Sequence, residues 1–437
     1  MTIHALLSCA AVAALSGSVF AVVPVQLVVK EGDTAPGSGG LTITTVNNPY
    51  NDGSGKVGFT GALSGGVNFV WYDNQIIFRN SDTGTTPTLS GAEGTMGVAP
   101  GGQFIFSPSI NSNDGLWSHL GEVLKESDPA PGIPGKFISF ASRPRMSPNG
   151  EGYVVSGWRT NPTSGSTEGR ILYRWPSLGS PGSPTIPYKS GDIVDGLAIG
   201  TSGIDFDYDF SNNGSQLINV VQINTGSTNT DDRMLVNGAV IARANGPTGV
   251  GGELWGPTPF DIPKINNAGQ YVFVGDTNAA TNIDGVIVAN GSIVLREGGV
   301  IDGKTWTAGY GVRGLDINDS GLVAFILEAA GTTPSEGWLF AGDVNNLANA
   351  AALLAIGSVL DVNGDLVGDY TLTNFLSTPT LTSTLDLDNS GKLYLDVTLV
   401  PVGGGAEVDA IIGITVPEPT SLSLLALGTL ALRRRRP

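Results

Sequence analysis

The chain has 437 residues, of which 63 are glycine and only 14% are charged, and its formal net charge is −17. So acidic a balance repels phosphate backbones and argues against nucleic acid as a partner, while cations and neutral polymers stay open. The single cysteine, Cys9, and the two histidines, His4 and His119, exclude a disulfide framework and a histidine-rich zinc site.

At the start of the chain, Ala5 to Ala21 is an apolar stretch that ends in the small-residue pattern Val19-Phe20-Ala21. That is the form of a secretory signal, so residues 1–21 are expected to be removed by cleavage after Ala21, taking Cys9 and His4 with them. A buried N-terminal helix is the alternative.

From residue 22 to residue 415 the chain repeats itself. An apolar residue is followed by Asn, Asp or Ser, two small polar residues and a glycine, and then by a strand with alternating apolar positions. The clearest copies are Ile265 to Gly269 before Gln270-Tyr271-Val272-Phe273, and Ile317 to Gly321 before Leu322-Val323-Ala324-Phe325. Others run from Met146 to Gly150, Phe210 to Gly214 and Leu387 to Gly391, and weaker ones end at Gly55 and Gly102. Second strands such as Gly337-Trp338-Leu339-Phe340 follow, and then third elements with a shared turn, as in VVKEGDTAPG (Val28 to Gly37) and VLKESDPAPG (Val123 to Gly132). Glycine and proline at fixed offsets punctuate strands.

The seven glycines are spaced by 47, 48, 64, 55, 52 and 70 residues. Blades of a propeller need about 40 to 50 residues each, whereas serial immunoglobulin-like sandwiches need about 100. An all-β, seven-bladed β-propeller-like repeat array is therefore expected, with tandem β-sandwiches as the alternative.

Aligned on these glycines, five copies carry a charged residue five places upstream: Arg145, Asp209, Lys264, Asp316 and Asp386. Equivalent positions in a circular array form a ring about one axis, so these residues could line a shared face or a channel; plain solvent-facing positions are the alternative. The segment Ile204 to Phe210 alternates strictly, which places Asp205, Asp207 and Asp209 on one strand face, about 7 Å apart. Carboxylates at such spacing serve glycosidases or bind calcium, yet one strand is not a cleft.

Further on, Asp361, Asn363, Asp365 and Asp369 offer oxygen ligands at relative positions 1, 3, 5 and 9, as in a calcium loop. Leu366 and Leu372 stand where glycine and a bidentate acid belong, so a decorated hairpin turn is the competing reading. Calcium is the one cofactor candidate, and no catalytic residue is assigned. His119 has no motif partner, and the tryptophans Trp71, Trp117, Trp158, Trp175, Trp255, Trp306 and Trp338 are read as packing residues.

Residues 416–437 form a separate tail: Pro417-Glu418-Pro419, an apolar run from Leu422 to Leu432, then Arg433, Arg434, Arg435 and Arg436. Eleven residues span only about 16 Å as helix against a bilayer core of about 30 Å, and the arginines would stay on the cytoplasmic side. A transient inner-membrane anchor is expected. In order and position these elements resemble the PEP-CTERM sorting signal. That resemblance implies export, an exosortase-type processing protease as partner, and release or attachment at the cell surface. The EGD-x-A-PG and N-x-x-G turns are similar to those of a family of exported β-propeller-like repeat proteins.

The expected function is that of an exported surface or extracellular-matrix protein that binds or builds, with an extracellular polysaccharide or envelope component as partner. The alternative is an extracellular carbohydrate-active enzyme using carboxylates on a propeller face.

Overall fold

In the repeat turn, the side chain at the Asn or Asp position bonds back to its own backbone and the glycine takes a conformation that other residues resist. In the computed structural model, which describes residues 22–80, 95–110, 113–178, 182–329, 336–376 and 385–416, Asn266 Oδ1 accepts the N–H of Ala268 (3.1 Å) and of Gln270 (2.9 Å). Gly269 closes that turn at φ +77°. Asn318 holds Ser320 and Leu322 in the same way, and Asp388 holds Ser390 and Lys392. Each such turn joins an inner strand to the next one outward, and the alternating apolar positions that follow become strands with both faces covered.

Six small sheets of four or five strands result among the described residues. Their inner strands are Ile43–Val46 with Tyr50–Asn51, Met96–Ala99, Phe137–Met146, Leu197–Phe210, Trp255–Ile265 and Tyr310–Ile317. Outward from these the strands run antiparallel, as in Trp255–Ile265, Tyr271–Thr277, Gly285–Ala289 and Ser292–Arg296. A larger, seven-stranded sheet is built from both ends of the described chain. In it Leu385–Leu387 and Tyr370–Phe375 flank Lys392–Pro401, which pairs with Val408–Thr415, and that strand takes Gln26–Lys30 as its outer neighbour. Among the described residues, helix is limited to the single 3₁₀ turn Leu347–Asn349.

The apolar cores lie between sheets. Tyr153, Val155 and Leu172 of the third sheet pack on Ile204, Tyr208 and Phe210 of the fourth. Ile218 and Val220 of the fourth pack with Phe273 and Val286 of the fifth. Leu322 and Ile326 of the sixth meet Leu393 and Ile412 of the large sheet, whose Tyr394 and Ile411 in turn meet Phe59 and Trp71 of the first. The circle closes, giving a propeller-like array in place of tandem sandwiches.

One expectation is corrected: the regular small sheets number six, not seven. The copy ending at Gly391 lies in the large sheet, where both ends of the body are recruited and one pair, Val23–Pro24 with Leu360–Asp361, is parallel. Trp71, Trp158, Trp175, Trp255 and Trp306 are buried. Ala21, Pro417, Glu418, Pro419 and Arg433 to Arg436 lie outside the described residues.

Candidate functional site: the axial cavity

Because the sheets face one another around an axis, residues at the same place on successive inner strands come together. Arg145, Asp209, Lys264, Asp316 and Asp386 each stand one residue before the end of an inner strand. All five line a single cavity of about 160 Å³, with Tyr50 and Gly97 among its other walls.

Around the ring each residue reaches the next sheet. The Tyr50 hydroxyl is bonded to the backbone of Met96. At Gly97 no side chain fits, since a Cβ there would lie 2.2 Å from the backbone nitrogen of Met146. Arg145 donates to Asp209 Oδ1 at 3.1 Å, and Asp209 Oδ2 accepts the Ile265 N–H at 3.1 Å. Lys264 Nζ stands 3.4 Å from Asp316 Oδ1, and Asp316 Oδ2 accepts the Leu387 N–H at 2.8 Å. Asp386 accepts the backbone N–H (2.7 Å) and side-chain amide (2.6 Å) of Asn51, which returns the circuit to the first sheet.

Enclosure shapes the chemistry of these groups. Burial pushes the Asp386 carboxyl up to about 8; the neighbouring Asp316 adds to this and Lys264 opposes it. Burial also raises Asp209, more than Lys264 and Arg145 lower it. For Lys264 burial acts downward, but Asp316 and Asp209 outweigh it and hold the ammonium above its ordinary value.

Three residues further along each copy, a second ring stands on the turns. Asp319 Oδ2 accepts side-chain amides from Asn267 (2.7 Å), Asn389 (2.6 Å) and Asn212 (3.2 Å), and Oδ1 accepts the Asn267 N–H at 2.8 Å. Gly53 and Pro148 occupy the other side. The mouth is thus amide-rich on one flank and apolar on the other.

The three aspartates of one strand do not all line the cavity. Asp209 lines the cavity, whereas Asp207 is pushed up to about 7 by burial, then by Asp261 and Asp205. Bulges between Ile199 and Tyr208 break the even alternation there. The loop of Asp361, Asn363, Asp365 and Asp369 is closed on itself. Asp361 accepts the N–H groups of Asn363, Gly364 and Leu366, Asp365 that of Val367, and Asp369 that of Val362. No group of three or more metal-ligating side chains is arranged to hold an ion among the described residues. His119 stacks edge-on against Phe104, and burial lowers it.

Tyr50, Gly97 and Asn51 are the site residues that sequence reasoning missed. The same five-residue offset from Gly55 and Gly102 reaches Tyr50 and Gly97, but neither is charged.

Residues 415–436 match the PEP-CTERM protein-sorting motif. The chain carries a PEP-CTERM sorting signal. The PEP-CTERM motif implies an exported protein, anchored transiently in the membrane and processed by exosortase, a membrane protease. No helix among the described residues is long and apolar enough to cross a membrane. No curated protein matches the chain. Among solved structures it is similar to the polysaccharide lyase Uly1, at 9% identity and a TM-score of 0.40 over 85% of this chain and 90% of that one. It is also similar to a protein of unknown function from Bacteroides caccae, at 12% identity and a TM-score of 0.32 over 68% and 93% of the two chains. An endo-arabinase from Bacteroides thetaiotaomicron aligns at 12% identity and a TM-score of 0.26, over 61% and 90%.

Proposed function

We propose that this exported chain is a non-catalytic surface or extracellular-matrix protein that binds an extracellular polysaccharide or envelope component at the mouth of its axial cavity. The observation that carries this reading is the commitment of the ring carboxylates. Asp209 is held by Arg145 and Ile265, Asp316 by Lys264 and Leu387, and Asp386 by Asn51. Acids so engaged staple neighbouring sheets and are poorly placed to exchange protons with a substrate. The cavity is also smaller than the clefts of about 300–1,000 Å³ that bury drug-sized ligands, so a polymer would rest on the mouth, its hydroxyls facing the amides of Asn212 and Asn389.

One observation favours the second reading, an extracellular carbohydrate-active enzyme. A carboxyl at about 8, as at Asp386, stays protonated at neutral pH and has the form of a general acid. One experiment separates the two. Purified protein is incubated with the polysaccharide of its own producing cells, and both retained polymer and polymer length are followed. Retention with unchanged length is the expected result. Shortening that disappears in Asp386→Asn would establish the enzyme.

A further inference from the structure

Beside the axial cavity lies a second, larger hollow, and one stacked aromatic pair divides the two. Phe210 lines the axial cavity, Tyr153 lines the hollow, and their rings lie face to face with centroids 3.8 Å apart. The turn that follows Phe210 crosses the same divide: Asn212 belongs to the axial cavity, Gly214 and Ser215 to the hollow. This cleft, of about 450 Å³, lies between the outer strand of the third sheet, Thr185–Lys189, and two turns of the fourth, at Gly214 to Leu217 and at Asn237. Its volume falls within the range of about 300–1,000 Å³ typical of small-ligand sites, which the axial cavity does not reach.

The walls of the cleft are neutral and rich in donors. Among the described residues Arg174 is its one charged wall residue, and Glu151 accepts from its Nε and Nη2, both at 3.0 Å. The turn comes close to that pair because residue 214 is glycine: a Cβ there would stand 2.0 Å from Glu151 Oε2. With its charge matched, Arg174 keeps Nη1 as a donor. On the facing wall Asn237 Oδ1 accepts the Leu217 N–H at 2.9 Å, and Gln216 Oε1 accepts the Asn237 side-chain amide. Both carbonyl oxygens are engaged, so what these amides have left to offer is N–H. The rest of the lining is largely apolar: Tyr188, whose hydroxyl is bonded to the backbone of Gly238, with Ile186, Pro187 and Leu217. Apolar surface edged by N–H donors matches a sugar ring, whose C–H faces are apolar and whose rim carries hydroxyl and acetal oxygens. With Arg174 paired, no cation among the described residues of the cleft is left to balance a carboxylate or sulfate, and the chain's net charge of −17 opposes a polyanion at a distance. We propose that this cleft is a second saccharide subsite, holding sugar residues of a neutral polysaccharide whose chain continues over the turn from Ser215 to Asn212 onto the mouth of the axial cavity.

This rests on the reading of the chain as a polysaccharide binder, and the arms of the test keep the two apart. The polysaccharide of the producing cells is split by anion exchange into neutral and acidic fractions, and retention of each by immobilised protein is measured. Beside the wild type stand Ser215→Trp and Thr185→Trp, which put a bulky ring into the cleft from exposed positions on opposite walls, and Asn212→Ala combined with Asn389→Ala at the mouth. The wild type should retain the neutral fraction, and either tryptophan should weaken that retention about tenfold or more without lowering the melting temperature. Neutral polymer held equally well by both tryptophan variants overturns the subsite, and its loss in the mouth variant alone would leave the binding reading standing. Retention of the acidic fraction in place of the neutral overturns the ligand class. Retention of neither fraction overturns the binding reading itself and the subsite with it.

Discussion

Lys264 and Asp316 form an ion pair whose side chains are 11% and 9% exposed. Removing one member of such a pair leaves a desolvated charge without its partner, whereas removing both costs less. Lys264→Met is expected to lower stability by about 3 kcal/mol, and Lys264→Met combined with Asp316→Asn to recover part of that loss, as measured by denaturant unfolding of the four proteins of the cycle. Additive losses would mean that the two side chains do not act as a pair. The charged positions of this ring were legible in the sequence because the repeat fixes them at one offset from a glycine. Tyr50 and Gly97 escaped because what matters there is reach and the absence of a Cβ, and neither has a charge signature.

At the scale of elements, the turns were the most legible feature, since an Asx side chain bonding its own backbone is a local event within five residues. The large sheet was the least legible. Its defining pairs join Gln26 to Gly413 and Val23 to Leu360, contacts that no local pattern encodes and that replace a seventh regular blade. Gln26–Lys30 covers the edge of Val408–Thr415, and an uncovered edge exposes unpaired N–H and C=O groups to other chains. A chain that begins at Glu31 is therefore expected to melt lower and to aggregate below the melting temperature of the intact body, as followed by calorimetry with light scattering. An unchanged melting temperature would mean that the N-terminal strand does not close the ring. The loop from Asp361 to Asp369 belongs to this scale too. Its oxygen spacing suggested calcium, but the same short acidic side chains that ligate ions also cap turns, and here they take the N–H groups of their own loop.

Across the whole molecule, a circle of sheets brings charged side chains from distant parts of the chain into one enclosed axis. On the axis burial pushes Asp386 up to about 8, and away from the cavity lining burial also pushes Asp207 and Glu328 up to about 7. Burial is the leading cause for each. A carboxyl raised in the folded state binds a proton there that the unfolded chain, with carboxyls near 4, has already released. Its contribution is therefore full below about pH 4 and is lost as pH climbs through the folded value. Asp195 and Glu168 act oppositely: hydrogen bonds from Arg243 and from Lys136 draw them down to about 2, and their contribution fades only as the solution becomes strongly acid. The exported body should thus be more stable in mildly acidic than in alkaline solution.

The most direct test of the enclosed axial ring is the melting temperature of the body from about pH 5 to pH 9, measured side by side for the wild type and Asp386→Asn. The wild type is predicted to lose stability steadily as pH rises, and the variant, having no proton to lose at that position, to follow a visibly shallower decline. Superimposable profiles, or a wild type that gains stability toward pH 9, would contradict an axial ring of carboxyls withdrawn from water.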